Sequence, residues 1–174
     1  MKTPHKTSNQ IFAFFLIISA IDISEPLINQ ITDGPSNLGM FRNTVAFLQI
    51  PAFYLYVLSV CYSDFKWKSK YFLHLIPFLI VNLVLAPRFY WVNLAAKLDF
   101  IANRQNMVEL QFTHWLFHFQ ILFYFTAVFL LLRKAKKLYL ENNSEGNLDS
   151  YKWLFQLTSV LAVLYLIVII KNIF

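Results

Sequence analysis

Residues 51–77 read PAFYLYVLSVCYSDFKWKSKYFLHLIP: an apolar, aromatic-rich run, eight residues carrying three lysines and an aspartate, and a second apolar run. Two hydrophobic segments joined by a short basic connection read as a membrane hairpin. Lys66, Lys68 and Lys70 alternate with Trp67 and Ser69, so they cannot all leave water, and the loop belongs at a membrane surface. Lysine and arginine accumulate in cytoplasmic loops of membrane proteins, so this loop orients the rest of the chain.

Composition agrees. Only 14% of the 174 residues are charged and 58% are apolar, whereas a soluble domain averages roughly 25% charged residues. So few charges cannot cover a water-facing surface, and lipid has to solvate most of the chain. The single cysteine, Cys61, lies in an apolar run and excludes a disulfide framework or a cysteine metal cluster. The net charge of +6 resides in the loops, where it serves orientation and contact with lipid headgroups.

The expected fold is all-α, a polytopic membrane helix bundle of about five transmembrane helices forming one membrane domain over residues 1–174. The spans fall at about 11–31, 43–62, 71–91, 112–132 and 151–170, each near the roughly 20 residues a bilayer requires. A basic start followed by an apolar core also describes a signal peptide, but Ser19-Ala20-Ile21 is a poor cleavage site. Pro26 is expected to kink the first span because it removes a backbone donor. Gly34, Pro35 and Gly39 make residues 32–42 a turn, and residues 141–150 are a polar turn. Between spans three and four, Leu94, Leu98, Ile101 and Met107 would give a helix over 93–103 one apolar face, fitting it to a membrane surface. The competing reading is an ordinary loop.

The basic residues separate by side. With the N-terminus inside, Lys2, Lys6, Lys66, Lys68, Lys70, Arg133, Lys134, Lys136, Lys137 and Lys152 share that side, against Arg42, Arg88, Lys97, Arg104 and Lys171. Ten against five predicts an N-in, C-out protein of the cytoplasmic (inner) membrane.

Polar groups within spans are expensive and therefore informative. Asp22, Glu25, Asn29, Gln49, Asn82, Arg88, His114, His118 and Gln120 fall in the outer halves of the spans or near mid-depth. Asp22, Glu25, Gln49, Asn82, Arg88, His114 and His118 are the candidate ligand-binding cluster, a polar cavity in which Arg88 pairs with Asp22 or Glu25. The plainer reading makes them interface residues and interhelical hydrogen bonds. His114 and His118 stand at i and i+4, a spacing at which two imidazoles can share a metal. His74 is too far down its span to complete the set, so no metal, cofactor or catalytic residue is assigned and an enzyme is not expected.

Three stretches, 51–57 (PAFYLYV), 74–79 (HLIPFL) and 147–154 (NLDSYKWL), resemble the N-terminal membrane region of bacterial membrane-anchored transcription regulators of the AraC type. In that family a multi-helix sensor region precedes a cytoplasmic helix-turn-helix domain. The resemblance implies a sensor without identifying its ligand. The family's additional flanking helices and its helix-turn-helix have no counterpart here, which implies a truncated or split member whose output domain is absent from the chain. The alternatives are a non-catalytic membrane binding or assembly subunit and the membrane region of a sensor kinase. Expected partners are the lipid bilayer, a small molecule, and a second copy or another membrane protein. Direct nucleic-acid binding is not expected.

Overall fold

The computed structural model describes residues 6–32, 34–62, 64–142 and 149–173. The described residues are helical, without strands: α1 Lys6–Asp22, α2 Glu25–Ile31, α3 Asn37–Cys61, α4 Ile76–Leu85, α5 Leu94–Ala102, α6 Val108–Asn142 and α7 Asp149–Ile173. A 3-10 stretch, Ser69–Leu75, leads into α4, and a π-helical turn, Ala86–Tyr90, follows it. Four segments are long and apolar enough to cross a membrane: Asn37–Cys61, Ser69–Tyr90, Val108–Leu138 and Tyr151–Lys171. The bent pair α1–α2 makes five if counted as one span.

The surface fits a transmembrane protein. Leu83 is 73% exposed and Phe119 68%, and Ile17, Trp115 and Ile167 are likewise exposed. So much accessible apolar area is a liability in water and ordinary against acyl chains.

Interhelical pairs give the directions. Ser8 Oγ donates to the Ser59 carbonyl, Gln49 Nε2 donates to Ser19 Oγ, and Arg42 reaches the Asp22 carbonyl, so α1 and α3 run antiparallel. Thr44 meets Asn82 while Tyr54 meets His74, so the Ser69–Tyr90 segment runs against α3. Gln120 meets Phe47 and Tyr124 meets Tyr54, which sets α6 parallel to α3. Phe155 packs on Phe129 and Tyr165 on Phe125, reversing direction again in α7. Successive membrane-length segments therefore alternate in direction around α3, whose Phe47, Phe53 and Val57 are almost wholly buried.

Prolines shape three of these segments. The break between α1 and α2 lies at Ile23–Ser24 with a 50° bend, and Pro26 sits in the first turn of α2 rather than inside a continuous helix. Its missing N–H costs least in a first turn, where helical donors are unpaired in any case. Pro51 lies within α3 without ending it, and lacking an N–H it cannot bond the Phe47 carbonyl four residues back. Gln120 Nε2 donates to that same carbonyl at 2.7 Å, the kind of repair a proline in an apolar helix requires. Pro87 likewise cannot serve Leu83, whose carbonyl accepts from Ala86 instead. The chain then widens into the π turn, closed by Trp91 N–H on the Ala86 carbonyl at 3.2 Å.

Several expected boundaries move. The turn expected over 32–42 ends at Ser36, whose Oγ caps α3 by accepting from Gly39 N–H at 3.0 Å. Gly34, at φ +105°, takes the left-handed conformation there. Arg42, read from the sequence as a loop residue, is thereby inside α3. The helix expected over 93–103 forms as α5, capped by Asn93. Phe100 docks it on Phe89, and Leu94 and Leu98 are exposed. Helix α6 begins four residues before the expected 112 and runs past 132, because Val108 onward has no helix-breaking residue to delay it. Of the polar turn expected over 141–150, residues 143–148 lie outside the described residues.

Candidate functional site

At the break between α1 and α2 the Ser19 and Ile21 carbonyls accept from Ile23 and Ser24 N–H, but Pro26 has no N–H to offer the Asp22 carbonyl four residues back, and a cation beside it is favoured by both hydrogen bonding and the helix dipole. Arg42, projecting from α3, fills this position. One guanidinium nitrogen donates to the Asp22 carbonyl, the other donates to Asn43 Oδ1 and lies 3.2 Å from Glu25 Oε2. The arginine therefore straddles the break, holding the end of α1 through its backbone and the first turn of α2 through Glu25.

Arg42 is only 6% exposed, and its Nε–H has no acceptor among the described residues. It lines a pocket of about 370 Å³, together with Glu25 and Asn29 of α2, Asn43 of α3, Phe89 and Arg104. Two arginines against one glutamate give these lining residues a net charge of +1. Arg104 is exposed and makes no ion pair among the described residues. A cavity of this size, with a few convergent polar groups, is in the range of small-ligand sites.

Of the seven candidate residues, Glu25 alone lines this pocket, and Asp22 contributes its backbone carbonyl. The remaining five are used elsewhere. Gln49 bridges α1 and α7, donating to Ser19 Oγ at 2.8 Å and accepting from the Tyr165 hydroxyl at 2.6 Å. Asn82 accepts from the Tyr90 hydroxyl at 2.8 Å and donates to the Phe78 carbonyl, with Thr44 Oγ1 3.2 Å away. The expected pairing of Arg88 with Asp22 or Glu25 is replaced: Arg88 lies 3.4 Å from Glu109 of α6, and the π turn directs it there.

The His114 and His118 rings lie with centroids 4.1 Å apart, tilted by 52° to one another. His118 Nδ1 is 2.7 Å from the His114 carbonyl, which can only accept, so Nδ1 carries a proton. Its Nε2 is buried without a partner among the described residues. No group of three metal-ligating side chains occurs among the described residues, the pair included. His74 is bonded to the Tyr124 hydroxyl and packed between Tyr54 and Tyr71.

Sequence reasoning missed Arg42, Asn43 and Arg104. The available signal was the span of three from Ser36 to Gly39, a helix-capping spacing that would have placed Arg42 in the second turn of α3 instead of in a loop.

The fold and site together define a helical bundle of membrane-length segments with a charged pocket at the end that carries α2 and α5. Comparison with known proteins adds no relative: no protein-family model, no curated protein and no solved structure matches the chain.

Proposed function

We propose that the chain is a membrane sensing module of the inner membrane, crossing it several times with its basic loops in the cytoplasm and the Arg42 pocket facing outward. The observation that carries this reading is the buried Arg42 guanidinium, which borders the pocket and ties α1 to α2 across their break. A small solute with an anionic group would meet Arg42 and Arg104, and in doing so compete with Glu25 for the same guanidinium. Binding and helix geometry are thereby linked through one residue, as a sensor requires. The likeness of residues 51–57, 74–79 and 147–154 to AraC-type membrane regions supports a transcriptional output, with DNA reading assigned to a domain other than this bundle.

The test is a screen of small carboxylates and phosphates against the purified chain in detergent, read by thermal stability and by hydrogen exchange in α2. A ligand at a hundred times its dissociation constant should raise Tm by about 5–10 °C and change exchange over residues 25–31. Arg104→Gln should remove the shift while leaving the ligand-free Tm in place, since Arg104 is exposed. An assembly subunit would show neither response, and a shift that survives Arg104→Gln would overturn the site.

A further inference from the structure

A second cavity lies at the opposite end of the bundle and differs in every chemical respect. It holds about 350 Å³ between α1, α3 and the 3-10 stretch, and its walls include Phe14, Leu48, Ala52, Trp67, Tyr71 and Leu75. Its polar side chains are few. Gln10 sits at the first turns of α1, and His74 is already bonded to Tyr124. Small residues create the space, because Pro51 and Ala52 present little volume on the face of α3 that would otherwise meet the 3-10 stretch.

The groove has a direction. From Leu55 to Leu48 it follows eight residues of α3, seven steps and so about 10 Å at 1.5 Å per residue, which is roughly two-thirds of one hydrocarbon leaflet. The basic connection adjoins its other end. Trp67 and Tyr71 belong to the groove wall, and Lys66, Lys68 and Lys70 interleave with them along the chain. All three lysines are exposed, and none forms an ion pair among the described residues. Lys70 Nζ stands 5.4 Å from the Tyr71 ring centroid, held at the rim. Against them the loop carries one acid, Asp64, also exposed, so the local charge is +2.

We propose that this groove is a binding site for an anionic glycerophospholipid, one acyl chain lying along α3 and the phosphate meeting Lys66, Lys68 and Lys70. Apolar walls alone would accept any acyl chain. The charge at the rim selects the headgroup, because each lysine near an anionic membrane surface strengthens attraction about fivefold. Trp67 and Tyr71 lie where chain and headgroup meet, the position amphipathic rings favour.

The experiment uses the full chain in mild detergent, with dioleoylphosphatidylglycerol or dioleoylphosphatidylcholine added at equal mole fraction. Thermal unfolding and native mass spectrometry are the readouts. Phosphatidylglycerol should raise Tm by about 5–10 °C at saturation, clearly more than phosphatidylcholine, and one such lipid should stay bound in the gas phase. The triple variant Lys66→Gln, Lys68→Gln, Lys70→Gln should lose the difference between the two lipids, and the corresponding triple arginine variant should keep it. Leu48→Trp, which fills the groove from a half-buried position, should lose the retained lipid with its charges intact. Equal shifts from both lipids, a preference that survives the glutamine triple, or the same shift from inorganic phosphate without lipid would each overturn the proposal. If Leu48→Trp does not fold, Phe14→Ala on the exposed wall of the same groove should weaken lipid retention, and unchanged retention would overturn the acyl-chain assignment.

Discussion

Arg42 is buried, whereas the Glu25 carboxylate it meets is 61% exposed, and this asymmetry decides what each contributes. An exposed carboxylate can return to water, so Glu25→Gln should cost no more than about 1 kcal/mol. Arg42→Ala also strips the part-buried Asp22 carbonyl of its donor, and leaving such an acceptor unpaired costs towards the lower end of about 1–3 kcal/mol. Thermal unfolding in detergent should therefore rank Arg42→Ala well above Glu25→Gln. The double variant should be less harmful than the sum, because the two residues touch. Glu25→Gln combined with Arg88→Met should instead be additive, since Arg88 belongs to Glu109 and shares no partner with Glu25. Coupling between Glu25 and Arg88 would place the arginines the other way round.

Among the elements, α3 organises the bundle despite a proline at its centre. The Phe47 carbonyl is bonded to Gln120 because Pro51 cannot reach it, so the two positions form a compensating pair 69 residues apart in sequence. Gln120→Leu should destabilise by about 0.6–2 kcal/mol, the range for interhelical hydrogen bonds in membranes. Pro51→Ala should be better tolerated in that background than in the native one, because alanine restores the helical donor. If Gln120→Leu is equally harmful with either residue at 51, the carbonyl is not what Gln120 serves. The same element shows why part of the site was hidden in the sequence. Apolar run length places the helices well, since a bilayer fixes how much chain it takes to cross. The first turns of a helix carry no such signal: Gly39 and Pro35 speak for a turn, and only the Ser36 cap places Asn37–Arg42 inside α3. The π turn is equally illegible, because one widened turn leaves the apolar content of the segment unchanged while rotating Arg88 towards α6.

For the whole molecule, the alternating directions of the membrane-length segments put the 64–70 loop and the end of α6 at one end, with α2, α5 and the start of α6 at the other. Basic residues should hold the first end in the cytoplasm. Reporter fusions after Lys70 and Lys137 should therefore be active as cytoplasmic proteins, and those after Asn103 and Phe174 as external ones. An external reporter after Lys137 would overturn this arrangement, and with it the outward pocket. What the sequence conveyed at this scale was the bundle itself. Which polar residues share a cavity was not legible, because depth in a membrane is set by position along each helix, whereas company is set by rotation about it. Gln49 and Glu25 lie at similar depths by sequence, yet Gln49 turns to Tyr165 and Glu25 to Arg42.

Helix α2, with seven residues, is about 10 Å long, and it is joined to α1 only through Ile23 and Ser24. Under the proposed sensing role it would act as a lever arm with its fulcrum at the 50° break. Turning it by about 10° carries the Ile31 end through roughly 2 Å, the size of helix displacement that switches many proteins between states. Arg42 holds α2 through Glu25, at the arm's shortest radius, so under the proposed sensing role a small change in that grip would be multiplied along α2.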